Sequence, residues 1–416
     1  MGAGAAGLVA AIFAASHEAD VLLIERTSDG GRKIMISGGG RCNILPAVLT
    51  PERFVTDSPA HVMRGMLKSW PLHEQRAFFE NDLNIPLALE EASGKLFPKS
   101  NRARDVRDGL VTRARGRGVR LQFGTSVTAI ERGATGFTLA TSAGPIAAER
   151  VILATGGLSV PTTGSDGTGL TVAAALGHRM ISTYPALTPL VGGDSGHAAL
   201  SGVSLNARLR GKAGTRTIET QGGFLFTHRG YSGPSVLDIS HLVARKDAAT
   251  TVRAQWSALD AAAWHREFEA PSALIATLVA RHVPARLAER LMIEAGVPTD
   301  RRTSSLRRTE RVSLVGRLTS YVLPVRGDEG YQKAEVTGGG VALDEVDPKT
   351  FESRRCPGLY LCGEILDVFG PIGGHNFAWA WATGRAAGLA ASLAASLAAG
   401  SDVRRGGSLD PPSDAK

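Results

Sequence analysis

Six residues at the start of the chain constrain its fold more than any others. Residues 2–7 read Gly-Ala-Gly-Ala-Ala-Gly and open an apolar run, Leu8 to Ala15, with the composition of a buried helix. A strand-like segment, Val21 to Ile24, follows and ends on Glu25. Glycines at this spacing let a chain turn sharply into a helix whose first amide groups lie open to a phosphate. Gly2 is expected to make the turn, Gly4 to let backbone approach a pyrophosphate, and Gly7 to let the helix pack close to a sheet, with Ala5 and Ala6 completing the cofactor-binding run. The device recurs at the other end of the chain. There the apolar Gly358-Leu-Tyr-Leu-Cys362 runs into Gly363 and Glu364, a glycine-rich loop and a long helix. Two such helix starts offer two sites for negative charge.

A fingerprint of this kind follows a strand, and here only Met1 precedes it. The absent strand normally lies mid-sheet, and its loss leaves neighbouring strands with unpaired backbone groups at about 1–3 kcal/mol each. The expectation is that translation begins several residues upstream of Met1, or that the chain is truncated. Coincidence in an Ala/Gly-rich start is rejected, because the following strand and acid fall at the right distance.

A chain of 416 residues suffices for two or three domains, and its 50 glycines cluster in motifs rather than forming linkers. Cys42, Cys356 and Cys362 form no disulfide framework or metal-ligand spacing, which suits a reducing, cytoplasmic setting. The formal charge of +8 comes mostly from arginine, concentrated in Lys99–Arg120 and Arg301–Arg311. Nucleic acid is one partner for such segments. A solvated helix face is favoured, because no aromatic residues are interleaved for base stacking. Residues 378–400 are apolar but Ala/Gly-rich, with Arg385 inside, and read as a core helix rather than a membrane span.

Along the chain, residues 58–82 show a helical face with Met63, Met66, Leu67 and Trp70, residues 102–118 form a basic helix, and Val151–Ala154 reads as a buried parallel strand ending in Thr155-Gly156-Gly157. The texture turns β-rich over 186–256 and helical over 257–320, and α/β character returns near residue 333. The fold class expected is therefore α/β, a discontinuous Rossmann-like domain with its first strand apparently missing. It comprises 1–185 and 326–400, with an insertion at 186–325 and a disordered tail at 401–416. Glycine motifs at 2–7, 38–40, 156–157, 164–169, 338–340 and 373–374 suit an extended cofactor such as FAD, held from several directions.

These residues carry a family resemblance. The chain resembles the bacterial HI0933-like or YhiN-like NAD(P)/FAD-dependent oxidoreductases, a group that includes aminoacetone-oxidase-like and BaiN-like proteins. The most specific matches are Gly-Arg-Lys-Ile-Met-Ile-Ser-Gly-Gly-Gly-Arg-Cys-Asn at 31–43 and Gly-Glu-Ile-Leu-Asp-Val-Phe-Gly-Pro-Ile-Gly-Gly-His-Asn at 363–376. Weaker matches lie at 96–100, 154–157, 226–234 and 336–341, so the resemblance spans nearly the whole chain.

Beside that resemblance the residues suggest roles. Glu25 accepts from the adenosine ribose, and Arg32 and Lys33 face the pyrophosphate. Ser37, Gly38, Gly39 and Gly40 let backbone pass the flavin, where Arg41 and Asn43 supply donors. Thr155, Gly156 and Gly157 contribute to the same site. Gly363 and Glu364 meet the ribityl chain or the pyrophosphate, and Gly373, Gly374, Asn376 and Phe377 start the helix aimed at the flavin edge. His228, Tyr231 and His375 are acid–base candidates, with Ser232 beside them. A loop-fixing role for His228 and simple packing for His375 are the favoured alternatives. The function implied is two-electron transfer between flavin N5 and an amine or an activated C=C bond. NAD(P)H or oxygen would be a transient partner. An RNA-associated, tRNA-modifying-like flavoprotein, or a flavin-binding remnant without turnover, remains the alternative.

Overall fold

The glycine turn passes into α1 (Ala5–Ala14), whose side chains are almost all buried. A helix enclosed by protein has no use for a polar face, which is why Leu8–Ala15 reads as continuously apolar. The computed structural model describes residues 1–17, 19–246 and 249–405. The chain forms two compact units, one of residues 1–183 with 338 onward, the other Tyr184–Thr337.

Unit 1 continues with β1 (Leu22–Ile24), the basic helix α2 (Ala103–Gly116), β2 (Arg120–Gln122), β3 (Val151–Leu153), α3 (Thr168–Ala175), β4 (Leu359–Leu361) and α4 (His375–Arg405). β1 pairs in parallel with β2, and β3 with β4. Met1 and Gly2 stand between the two pairs. Gly2 N donates to Ile24 O at 2.8 Å, the Met1 ammonium donates to Ile152 O at 2.8 Å, and Ala154 N donates to Met1 O at 2.9 Å. The order is thus β2, β1, Met1–Gly2, β3, β4, with two residues in the place of the first strand of a doubly wound sheet.

On one face of this sheet α1 and α4 lie backbone to backbone. A Cβ on Gly384 would come within 2.4 Å of Ala6 O, and one on Gly388 within 2.3 Å of Ala10 O. The two glycines are one helical turn apart, so they line one seam. The Arg-rich helix α2 buries Ala103, Val106, Leu110 and Ala114 and leaves Arg104 and Arg115 exposed, while Arg107 packs inward against Gly31. The single helix expected over 58–82 is two, Ala60–Leu67 and Leu72–Ala77, broken before Pro71. Proline lacks the amide a helix interior needs and disfavours helix in the residue before it. Met63, Met66, Leu67 and Trp70 are buried all the same.

Unit 2 holds a seven-stranded antiparallel sheet. Its longest hairpin joins Ser204–Ala213 to Arg216–Phe226, and from Asn206 the first strand buries every second residue. Four further helices lie between Ala261 and Thr319. Val325–Asp328 is an edge strand of this sheet, paired with Leu190–Gly192, so the second boundary falls after Thr337 rather than at 325. α4 extends to Arg405, into the segment expected to be a disordered tail, and 406–416 lie outside the described residues.

Candidate cofactor site

The three fingerprint glycines differ in what surrounds them. A Cβ on Gly7 would sit 1.8 Å from Gly2 O and 3.2 Å from Ala154 Cβ. Gly2 has φ +88°, and a Cβ there would be 2.5 Å from Ala154 O. Both are therefore demanded by packing. A Cβ on Gly4 would meet nothing within 4 Å. Gly4 is the N-cap of α1, and no side chain caps that helix end, so its first amides are available to an anion. Ala5 and Ala6 form the first turn, with Ala6 buried.

Glu25 is nearly buried at the end of β1. One carboxylate oxygen accepts from Ala3 N at 2.8 Å, and the other accepts from Thr27 N and Thr27 Oγ1, both at 2.8 Å. A carboxylate has about four acceptor positions, so capacity for one hydroxyl remains. Gly164 closes over it, because a Cβ there would lie 3.4 Å from Glu25 Oε1. Arg26 pairs with Asp166 of the same loop.

Thr155, Gly156 and Gly157 follow β3. Thr155 Oγ1 is buried without a hydrogen-bond partner. A Cβ on Gly169 would collide with it at 1.7 Å, which ties the start of α3 to this loop. Gly156 adopts φ +72° beside Ser165, and Gly157 O accepts from Gly167 N at 3.1 Å.

Arg32 and Lys33 begin a short helix, Arg32–Ile36. The Arg32 guanidinium binds Asp29 at 2.7 Å and Ser28 at 3.0 Å, so its charge is already compensated. Lys33 Nζ donates to Glu364 Oε2 at 2.7 Å and also to Ser159 Oγ, while Ser159 Oγ donates to Glu364 Oε1 at 2.6 Å. The fully buried Ser159 was not anticipated. It joins segments more than two hundred residues apart, and nothing in its local sequence marks it.

The Ser37–Asn43 loop is built for backbone exposure. Ser37 Oγ donates to Ile34 O at 2.8 Å, and Gly38, Gly39 and Gly40 take φ of +56°, +68° and +85°. Gly39 and Gly40, like Gly4, have open space where a side chain would be. Arg41 turns to Glu90 at 3.0 Å and lies 4.0 Å over the Phe97 ring. Asn43, with its amide oxygen facing the start of α4, accepts from Gly374 N at 3.0 Å and donates to Leu45 O at 3.3 Å.

Gly363 and Glu364 form a tight turn after β4. Gly363 N donates to Thr383 Oγ1 at 2.9 Å, and Gly363 O accepts from Trp379 Nε1 at 3.0 Å. Gly373 and Gly374, at φ +106° and +91°, lead into α4. Asn376 holds the preceding loop, accepting from Gly370 N at 2.8 Å and donating to Gly370 O at 3.0 Å. Phe377 stacks on Trp381, with centroids 5.2 Å apart. His375 is buried beside Phe54, and its Nδ1 lies 3.2 Å from Ile372 O. Burial, reinforced by Arg53, lowers its pKa to about 4, against the pull of the Ile372 and Val48 carbonyls. It is therefore neutral at pH 7 and does not hold the proton that a general acid needs there. Asp367 was also missed. Its Oδ2 accepts from Thr56 Oγ1, Asp57 N, Ser58 N and Ser58 Oγ at 2.9–3.1 Å, while burial pushes its pKa up.

His228 and Tyr231 belong to unit 2. His228 is exposed at a turn fixed by Thr227 Oγ1, which accepts from Gly230 N at 3.0 Å. Tyr231 is fully buried, its hydroxyl 2.6 Å from His197 Nδ1, and His197 Nε2 lies 2.8 Å from Tyr321 OH. Ser232 pairs with Leu225 in the same sheet. This places Tyr231 in the polar heart of unit 2 rather than at a surface open to substrate. The thiols of Cys42 and Cys362 are pushed up to about 12 by burial, which makes them inert. Among the described residues no cluster of His, Cys, Asp or Glu could hold a metal ion, and no helix is long and apolar enough to cross a membrane.

Residues 1–390 match the family described as HI0933-like protein Rossmann domain. The chain is 33% identical over 398 residues to the ribosomal RNA dihydrouridine synthase of Escherichia coli (strain K12), covering 92% of this chain and 94% of that protein. It is 32% identical over 399 residues to the 3-dehydro-bile acid delta(4,6)-reductase of Clostridium scindens, covering 93% of this chain and 97% of that protein. Among solved structures, a quinol-fumarate reductase with menaquinol molecules aligns with a TM-score of 0.50 at 18% identity, over 95% of this chain and 70% of that one. At such identity the likeness is one of fold. The doubly wound sheet, the glycine cradle and the match across nearly its whole length agree: this chain belongs to the HI0933-like family.

Proposed function

We propose that the chain is an FAD-dependent oxidoreductase acting on a carbon–carbon double bond activated by a neighbouring carbonyl. One observation carries the cofactor assignment. Gly4 has open space at its Cβ position and ordinary backbone angles, while Gly2 and Gly7 are locked by packing. At an uncapped helix start, a glycine that neither packing nor backbone angle requires leaves the first amides clear for a ligand. The buried, unpartnered Thr155 Oγ1 fits the same reading.

When bound, FAD supplies a centre that takes up and releases two electrons. The protein's part is binding and electrostatics. The uncapped start of α1 meets the pyrophosphate, and Glu25 accepts from the ribose. Lys33 and Glu364 cancel each other's charge, so the compensation of negative charge falls to the helix starts. The α4 start stabilises charge that builds on the ring during reduction.

The two relatives support the double bond. By the chemistry of their names, a dihydrouridine synthase and a delta(4,6)-reductase both add two electrons and two protons across C=C. They differ in the carrier of that bond. The +8 charge and the exposed Arg104, Arg115 and Arg117 around α2 favour a second reading, a base within RNA. NAD(P)H is a fitting transient reductant and oxygen a competing oxidant.

The test begins with the absorption spectrum of the purified protein and chromatography of the released cofactor. Anaerobically reduced protein is then offered a conjugated steroid ketone or ribosomal RNA, and the oxidised protein an amine. Reoxidation by the ketone supports the small-molecule reading. Reoxidation by RNA, with binding that weakens steeply with salt, supports the second. Bleaching by the amine alone overturns the double-bond proposal, and a protein that binds no FAD overturns the whole.

A further inference from the structure

We propose that the solvent-facing side of the unit 2 sheet binds the phosphate backbone of RNA. This rests on the second reading above, a base within RNA, and gives that reading a contact surface away from α2.

The pairing register fixes which side chains share this face. In antiparallel strands, residues directly opposite each other point the same way, and so do alternate residues of one strand. Along Ser204–Ala213 the buried positions are Ala207, Leu209, Gly211 and Ala213, so Arg208, Arg210 and Lys212 point to solvent. Arg208 stands between Gln255 and Gln221. Arg210 stands between Arg253 and Glu219, and Lys212 between Thr251 and Thr217. Apart from the half-buried Gln255, all of them are exposed. Neighbouring strands lie about 5 Å apart, and successive positions on one strand about 7 Å.

Four cations on this grid face one acid. Glu219 answers Arg210 at 2.8 Å and Arg208 at 3.5 Å. Arg253 turns instead to the Ser320 carbonyl, to which it donates at 3.3 Å. Arg210 and Arg253 are directly opposite, and like charges so placed destabilise a sheet. A phosphate between them converts that repulsion into charge-assisted hydrogen bonds.

Cations at regular steps along a strand, with amide and hydroxyl groups beside them, match the repeated phosphate and sugar oxygens of an RNA backbone. No aromatic residue stands on the grid for a base to stack on, so the contact is with backbone. A surface that lies on an anionic bilayer carries large apolar side chains beside its cations. Here the apolar neighbour in register is the small Val322, opposite Arg253 at the edge.

The experiment measures binding of a fluorescent RNA hairpin to the full chain across a salt series. Wild type is compared with a sheet variant carrying Arg210→Gln, Lys212→Gln and Arg253→Gln, and with a helix variant carrying Arg104→Gln, Arg115→Gln and Arg117→Gln. Each lost phosphate contact lowers the slope of log affinity against log salt by about 0.7–0.9. The sheet variant is expected to show a slope smaller by about two and an affinity about tenfold weaker at low salt. It should melt like wild type, since the pairs it loses are exposed. Lys212→Gln alone, which breaks no pair with Glu219, is expected to lower the slope by a little under one. The helix variant is expected to keep the wild-type slope. An unchanged slope in the sheet variant, or a loss confined to the helix variant, overturns the assignment and leaves the RNA reading standing. A wild type that binds no RNA, or that binds phosphatidylserine vesicles in its place, overturns both.

Discussion

At the scale of single residues, neighbouring glycines have opposite jobs. Gly7→Ala places a methyl group on Gly2 O, and the turn or the helix must move. The expected loss is about 3 kcal/mol, visible as a lower melting temperature with or without cofactor. Gly4→Ala meets no atom of the protein and has ordinary backbone angles, φ −79° and ψ −166°. It should melt like wild type when free of FAD and yet bind FAD at least tenfold more weakly. Equal affinity would show that Gly4 does not face the cofactor.

His375 sets a pH dependence whose sign follows from its burial. Its pKa is about 4 in the folded chain against 6.5 when unfolded, so between these values the unfolded chain binds the extra proton. Stability should rise by about 3 kcal/mol from pH 4 to pH 6.5 and be lost on the way back down. Asp367 opposes this just above its ordinary value of 3.8, because its folded pKa is raised. Denaturant melts of wild type and His375→Phe across that range separate the two, since the variant should lack the rise.

Which of these residues were legible follows from how far their partners lie. The fingerprint glycines and Glu25 announce themselves because their spacing encodes a local turn. Ser159, Asp367 and Thr383 do not, because each is defined by a bond to a distant segment, as when Ser58 meets Asp367. The pairing of Lys33 with Glu364 was equally hidden, and it revises the picture of a lysine free to meet pyrophosphate.

At the scale of elements, the decisive contact is the seam between α1 and α4. Gly384 and Gly388 let α4 lie against the carbonyls of Ala6 and Ala10. Gly388→Leu forces the helices apart and should cost about 3 kcal/mol, lowering the melting temperature by roughly 6–12 °C. A melting curve that does not move would mean that the seam is looser than it looks. Sequence periodicity exposed the apolar character of both helices but not their partnership, since small residues signal close approach without naming what approaches. The break before Pro71 is hidden in the sequence because the buried stripe from Met63 to Trp70 keeps its spacing across the last turn. α2 shows the reverse: its arginine density suggests a charged surface, and neighbouring acids answer part of it, as in the Arg107–Asp108 and Arg113–Asp82 pairs.

At the scale of the molecule, the chain divides between Thr183 and Tyr184, beside the change of texture in the sequence. The second division follows Thr337, because Val325–Asp328 pairs with a strand of unit 2 more than a hundred residues back. Unit 2 is one continuous stretch with its own buried cluster, including Phe224, Phe226, Trp256 and Trp264. Residues 184–337 expressed alone should therefore melt cooperatively, and a fragment without a melting transition would refute that independence.

The discontinuity of unit 1 also imposes an order on synthesis. β4 and α4 are the last of its elements to leave the ribosome, yet β3 pairs with β4 and α1 packs against α4. The nascent chain must therefore carry an unfinished sheet, with the glycine turn made but its neighbours absent, while all of Tyr184–Thr337 is translated. At about 5–20 residues per second that interval lasts on the order of ten seconds. During it β3 is an unprotected edge, so the organism's exposure to aggregation is set by elongation speed through the middle of the message rather than by the stability of the finished protein.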